Sequence, residues 1–490
     1  ADVTVVVQNR GPAADEGSIE FTVRQARLDA ADLLDPDPAD LVAGTRPVAE
    51  GRATVGTLGP GAIAAVRSTL SIPNPRSWDI GRPGLYVLEV TVRDAAGRSD
   101  TLDATFGLRQ VAVDPTGPRI LLNGRAVTFG GVALHDESIT PGPDGEAATG
   151  TPAATAAQAL RQLRQVQAVG ATLLRMGHVP AEPALLTLAD RLGLAVWEEV
   201  PLTHFTPLSF GLTLARGIPQ QMAREMALRD MNHPSVLFYG LANESSGGPA
   251  QAQAMGELRT AIRALDPTRL LGQAGYSFDV DDRSSDDLDV VGFTFYHGVF
   301  YGGDATTGTR DALAAAHARY PAKPIVVLEF GHWADGPEGT ADQVRILDET
   351  GRELALHSTA RPGGYVAAMV WWTLDDYFTS QPGIDLERFG LFEPDGTPRP
   401  VASAAASLYA SLAVTLPTTT APADAPVAAP LAPPPSGASA DVSADAPDGR
   451  GHLGWLATLM VYGFGVGALT LGAWTGLALR SSRLPRRRRR

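Results

Sequence analysis

The sequence predicts an α/β fold: a (β/α)8 barrel preceded by an antiparallel β-sandwich and followed by a single C-terminal transmembrane helix. Three observations predict it. Residues 1 to about 110 alternate apolar and polar positions in short runs, as half-buried antiparallel strands do. From about Pro118, near-continuous apolar runs alternate with helical segments, the pattern of parallel strands covered on both faces. Finally, Leu453 to Leu479 passes 27 positions without a charged residue, long enough to cross a bilayer.

In the sandwich, assigned to residues 1–112, the strand signals are Val3-Thr-Val-Val-Val7, Ile19-Glu-Phe-Thr-Val23 and Leu85-Tyr-Val-Leu-Glu-Val-Thr-Val92. Gly, Pro and Asp turns separate them, and Asp29 to Pro47 reads as a long loop. The barrel is assigned to residues 113–415. Its eight strands are read at Val127–Leu134, Ala171–Met176, Leu194–Val200, Ser235–Ala242, Leu270–Gly275, Val290–Tyr296, Pro324–Leu328 and Tyr365–Trp372. Helical segments fall between them, except that the fifth-to-sixth connection lacks a clear helix. Eight such units over about 280 residues fit a (β/α)8 barrel.

Residues 416–452 are rich in Pro, Ala, Thr and Ser, and read as a disordered linker that buries no core. The transmembrane helix is placed at 453–479 and an arginine-rich tail at 480–490. The positive-inside rule puts that tail in the cytoplasm and the barrel outside the cell membrane. This orientation requires an export signal, so a segment ahead of Ala1 is expected.

The net charge is −14, and setting aside the seven arginines from Arg480 onward leaves −21. So acidic a body repels nucleic acid. Cysteine is absent, which excludes disulfides and thiolate metal sites. No divalent-metal cluster and no cofactor motif stands out. Lys323 is the sole lysine.

Two of the apolar runs end on a glutamate: Ser235-Val-Leu-Phe-Tyr-Gly-Leu-Ala-Asn-Glu244 and Pro324-Ile-Val-Val-Leu-Glu329. They are the fourth and seventh strands, and barrel active sites form at the C-terminal strand ends. Two carboxyls converging there, one protonated and one ionised, are the minimum equipment for cleaving a glycosidic bond. Glu244 follows a neutral amide, Asn243, and a partly buried carboxyl with no cation beside it keeps its proton. Arg175, ending the second strand, is the candidate cation for Glu329. Glu198 and Glu199 end the third strand and are the rival carboxylates. Neither follows an asparagine, and both are read as supporting or loop residues.

These residues carry a resemblance. The segment from about Arg76 to Thr397 resembles glycoside hydrolase family 2, the β-galactosidase, β-glucuronidase and β-mannosidase family. The motifs run in order: Trp78 with Pro83-Gly-Leu-Tyr86, Phe106-Gly-Leu-Arg109, Leu122-Asn-Gly-Arg125, Gly131-Val-Ala-Leu-His-Asp-Glu137, Leu174-Arg-Met-Gly-His-Val-Pro180, Asn232-His-Pro-Ser-Val236 through Asn243-Glu244, and Lys323-Pro-Ile through Glu329-Phe-Gly331. The resemblance implies an immunoglobulin-like sandwich before the catalytic barrel. It implies Glu244 as acid/base and Glu329 as nucleophile of a retaining exo-β-glycosidase with a carbohydrate substrate. It also implies that His135, Arg175, His178, Asn243, Tyr296 and Trp371 line the sugar subsite. Trp371 and Trp372 are adjacent, so one faces the core and the other the site.

Two departures stand out. The family's N-terminal jelly roll has no room in the 110 residues before the barrel. The Asn-x-Lys pair with which glucuronidases of the family hold a sugar carboxylate is missing from the comparable stretch, Glu387-Arg-Phe-Gly-Leu391. Glucuronidase is therefore disfavoured, although Arg388 offers a carboxylate another route, and a β-galactosidase-like specificity is expected. The competing reading is a membrane-tethered carbohydrate-binding protein that has lost catalysis.

Overall fold

The computed structural model describes residues 1–28, 33–34, 37–135, 137–140, 149–151, 154–378, 386–412 and 455–462. The N-terminal sandwich pairs two antiparallel sheets. One has the order Pro47–Leu58, Asp15–Gln25, Leu85–Asp94 and Ser99–Gly107. The other joins Trp455–Tyr462, Asp2–Asn9 and Ile63–Thr69. The period-two alternation seen in the sequence fills the space between them: Val3, Val5, Val7, Ile19, Phe21, Val23, Leu88, Val90 and Val92 form one buried cluster.

The strand Trp455–Tyr462 corrects an expectation. These residues open the stretch assigned to a transmembrane helix, yet they pair antiparallel with Asp2–Asn9 along eight positions. Without them Asp2–Asn9 has one open edge of unpaired backbone groups. A segment rich in aromatic and β-branched residues is suited to fill it. Among the described residues no helix is long and apolar enough to cross a membrane. The linker at 416–452, the run 463–479 and the arginine tail lie outside the described residues.

The barrel is closed by eight parallel strands: β1 (Phe129–Leu134), β2 (Leu173–Met176), β3 (Ala195–Glu199), β4 (Val236–Asn243), β5 (Leu270–Tyr276), β6 (Val291–Thr294), β7 (Ile325–Phe330) and β8 (Val366–Trp371). All eight coincide with strands read from the sequence. Between β5 and β6 there is no helix, as the sequence suggested. The connection is pinned instead by the Lys323 ammonium, which donates to the carbonyls of Ser285, Asp286 and Leu288 at 2.9, 2.6 and 2.8 Å. The β3–β4 connection carries two helices, Pro207–Leu214 and Ile218–Asp230.

A small meander, Val111–Val113, Ile120–Leu122 and Arg125–Val127, joins the sandwich to the barrel. Its Val111, Ile120, Leu122 and Val127 share one buried cluster with Trp78 and Leu85 of the sandwich side and Phe129, Leu173, Trp197 and Phe238 of the barrel interior. Trp78 Nε1 donates to the Asp190 carbonyl at 2.9 Å. Gly193 ends the Pro183–Leu192 helix at φ +69° and lies against Gly81, whose nitrogen would stand 2.7 Å from an added Cβ. Only glycine satisfies both the left-handed conformation and that contact. The sandwich thus caps the N-terminal end of the barrel and leaves the opposite mouth open.

Candidate active site

Arg175, at the third position of β2, is fully buried and organises the mouth. Its guanidinium donates to Glu199 Oε1 at 2.8 Å, to Glu329 Oε1 at 2.6 Å, to the Leu328 carbonyl at 3.1 Å and to Asn243 Oδ1 at 2.8 Å. Against the cost of burial, Glu199 and Glu329 hold its proton more firmly than usual. A guanidinium suits this position because its planar fork meets several acceptors at once.

Glu329 sits at the end of β7. Its Oε1 accepts from Arg175 and its Oε2 from the Tyr296 hydroxyl at 2.9 Å. Burial and the Glu329 charge raise Tyr296 well above the ordinary phenol range, so it stays a donor. Both carboxylate oxygens are thereby oriented.

Glu244 follows β4 with φ +42°, a left-handed conformation unusual for a residue with a Cβ. Thr294 Oγ1 donates to its Oε1 at 2.7 Å, and the Tyr301 hydroxyl lies 3.5 Å from the same oxygen. Burial first, then the charge of Glu329, pushes the Glu244 carboxyl up to about 7, with the Thr294 hydrogen bond and Arg175 opposing. The mouth therefore holds two unlike carboxyls: one that retains its proton near neutral pH and one fixed by two donors. This is the division of labour of a general acid and a nucleophile.

His178 lies beside them. Its Nδ1 is 3.0 Å from Glu199 Oε2 and its Nε2 is 3.2 Å from the Asn243 amide nitrogen. Arg175 Nη2 also lies 3.2 Å from Nδ1, so the ring is held between Glu199, Arg175 and Asn243. His135 stacks on Tyr377 with centroids 4.3 Å apart. Burial, then the charges of His178 and Arg175, pushes it down to about 3, so it is a neutral imidazole.

The expected residues Glu244, Glu329, His135, Arg175, His178, Asn243 and Tyr296 thus come together at one mouth. Trp371 does not. On β8, Ala368 and Val370 face the barrel interior with Trp372, while Met369 and Trp371 face the helices. Trp371 is buried there and donates to the Phe389 carbonyl. Trp372 is the ring at the site, stacked on His178 at 5.2 Å and 8°. Sequence reading narrowed the choice to one of two neighbours but lacked the phase of the strand.

Glu199, expected to be a supporting or loop residue, is a supporting one. It is a strand residue, fully buried, bonded to Arg175, His178 and Trp197 Nε1 at 2.7 Å. Against its burial, Arg175 and His178 hold it below the usual carboxylate range. Gly240 of β4 makes room for it, since an added Cβ would meet the Glu199 side chain at 2.5 Å. Glu198 points the other way, where burial and Asp230 raise it well above the ordinary range. Thr294, Tyr301 and Tyr377 went unrecognised in the sequence. Only Thr294 left a signal there, sharing the parity of Tyr296 two positions on. Among the described residues no group of three His, Asp or Glu side chains is placed to hold a metal ion.

With the geometry in place, comparisons with known proteins agree on a family. The family model described as glycosyl hydrolases family 2, TIM barrel domain, matches residues 113–414, and that of glycosyl hydrolases family 2 matches residues 1–109. A β-glucuronidase of Streptococcus agalactiae serotype V is 29% identical over 286 residues, covering 54% of this chain and 46% of that one. A β-galactosidase of Aeromonas hydrophila is 32% identical over 220 residues, 43% of this chain and 20% of that one. Among solved structures, a β-galacturonidase from Eisenbergiella tayi has the same fold, with a TM-score of 0.68 at 20% identity, covering 84% of this chain and 70% of that one. The chain spans about half the length of several curated β-glucuronidase relatives.

Proposed function

Because the chain belongs to glycosyl hydrolase family 2, its barrel family model matching residues 113–414, we propose that it is a retaining β-glycosidase working by double displacement. Glu329 attacks the anomeric carbon and forms a glycosyl ester. The bond to the leaving oxygen breaks as Glu244 gives that oxygen its proton. Glu244, now a carboxylate, takes a proton from water, whose oxygen attacks the same carbon and releases Glu329. The observation that carries this reading is the contrast between the two carboxyls: Glu244 pushed up to about 7 and Glu329 held by Arg175 and Tyr296.

The proposed substrate is a neutral β-linked sugar of the β-galactoside type. The relatives include enzymes named for uronides and for galactosides, so the choice rests on this chain's own residues. In the stretch where a sugar carboxylate would need a cation, Glu387 is buried and accepts from Trp333 Nε1 at 2.8 Å. Burial first, and then the Glu387 charge, raise Tyr377, the ring stacked on His135, with the Trp372 hydrogen bond opposing. A carboxylate there repels a uronate. Turnover of aryl β-galactosides, β-glucosides, β-mannosides and β-glucuronides, each with the Glu329→Gln variant, tests the proposal. Neutral glycosides should be cleaved and the variant should lose more than about a thousand-fold in kcat. An unchanged variant removes the nucleophile, and a preference for glucuronide removes the neutral sugar.

A further inference from the structure

Resting on that glycosidase reading, we propose that His204, Tyr276 and Tyr301 form a leaving-group subsite for planar aromatic aglycones. The argument starts from the two oxygens of Glu244. Oε1 faces Thr294 and Tyr301. Among the described residues none hydrogen-bonds to Oε2, and His204 Nδ1 lies 3.9 Å from it. Oε2 is therefore the oxygen that carries the transferable proton, and the leaving oxygen must approach it. Whatever is attached to that oxygen extends over the residues around Oε2.

Those residues differ in kind from the buried polar groups on the other side of the site. The His204 side chain is 67% exposed and Tyr276 is 54% exposed. Tyr276 ends β5 in register with Thr294 of β6, and its ring lies 5.0 Å from Tyr301, which reaches Glu244. His204 is fixed from the opposite side: its amide donates to the Asn243 carbonyl at 3.0 Å, and its φ is +55°. The barrel order β3-β4-β5-β6 sets His204, Glu244, Tyr276 and Tyr301 on consecutive strand ends, so rings flank the acid on both sides.

The same two loops carry exposed aliphatic groups. Leu208 and Leu212 stand on the helix after His204, and Val280 follows Tyr276; all three are more than half exposed. Exposed ring faces and aliphatic side chains gain by burying apolar area and stack on other rings. A second sugar requires hydrogen-bond partners for each of its hydroxyls, whereas here the His204 Nδ1 already lies 3.3 Å from the Glu244 carbonyl and the Tyr301 hydroxyl 2.7 Å from Thr294 Oγ1. The chemistry therefore favours an aromatic leaving group over a disaccharide.

The test separates this subsite from the reading beneath it. An activated 2-deoxy-2-fluoro glycoside of the accepted sugar should label Glu329, detected by mass spectrometry. Absence of label overturns the glycosidase reading and the subsite with it. From the labelled enzyme, release of sugar is then timed in water, in methanol and in benzyl alcohol. Benzyl alcohol should speed release in the wild type. Tyr276→Ala and His204→Ala should abolish most of that acceleration, read as the ratio of release into benzyl alcohol to release into water for each variant, and Tyr276→Phe should retain it. The ratio of kcat/KM for benzyl over methyl glycosides should fall about ten-fold in Tyr276→Ala, the loss expected for one stacked ring. Label without aromatic acceleration, an equal loss for both glycosides, or a wild-type preference for a matched disaccharide overturns the subsite alone.

Discussion

Glu244 holds its proton because its surroundings penalise the charge. Burial and the nearby Glu329 push it up to about 7, so the acid form persists through acid and neutral pH and is lost as pH rises past that value. The proposed mechanism needs this acid protonated in its first step, and kcat/KM reports the free enzyme. We expect kcat/KM to hold up to near neutrality and then fall about ten-fold per pH unit above pH ~7. The Thr294 hydroxyl stabilises the charged form and holds the value down. Thr294→Val should move the descending limb to higher pH. A limb that stays in place in this variant would mean that another group is titrating.

At the scale of elements, the strand ends rather than the strands decide what enters the site. On β7, Val326 and Leu328 face the barrel interior while Ile325 and Val327 face the helices. Simple alternation sends Glu329 outward. A register shift between Val327 and Phe330 reverses the phase and turns it inward. A similar shift between Gly240 and Asn243 on β4 precedes Asn243 and Glu244. Bulges of this kind re-aim side chains at barrel rims. β8 has no shift near its end, so Trp371 stays on the helix side. Trp371→Phe should therefore lower stability by about 1–3 kcal/mol and leave kcat/KM of the folded enzyme unchanged. Trp372→Phe should lower kcat/KM about ten-fold with a smaller change in melting temperature. The reverse pattern would exchange the two assignments.

Across the whole molecule, the sandwich and the barrel share a core. Arg109, buried where the sandwich meets the meander, donates to the carbonyls of Pro234, Val236 and Thr268 at 3.2, 2.9 and 3.4 Å. Pro234 and Val236 lead into β4, the strand that ends at Glu244. Arg109→Ala takes one donor from each of those carbonyls, Val236 keeping Arg269 Nε at 3.2 Å, at a cost of about 2–4 kcal/mol. Because Trp78, the meander and the barrel interior form one cluster, unfolding should be a single transition that coincides by far-ultraviolet circular dichroism and tryptophan fluorescence. Two separated transitions would show that the domains are independent.

The sequence by itself determined the barrel, its eight strands, the sandwich and the two glutamates. Periodicity of two, apolar runs and strand-end position are local properties, and local properties are written in adjacent residues. It also indicated the missing β5–β6 helix, though not that Lys323 holds the connection. The tertiary structure decided the rest. Which tryptophan faces the site depends on the phase of β8 within the closed barrel. Glu199 gained its place through Arg175 and His178, which approach from another strand. The first residues assigned to a membrane helix lie instead along Asp2–Asn9, because an open strand edge far off in the chain accepts them. Contacts between residues distant in sequence, and small shifts of register, fix all three, and neither leaves a mark on residue order.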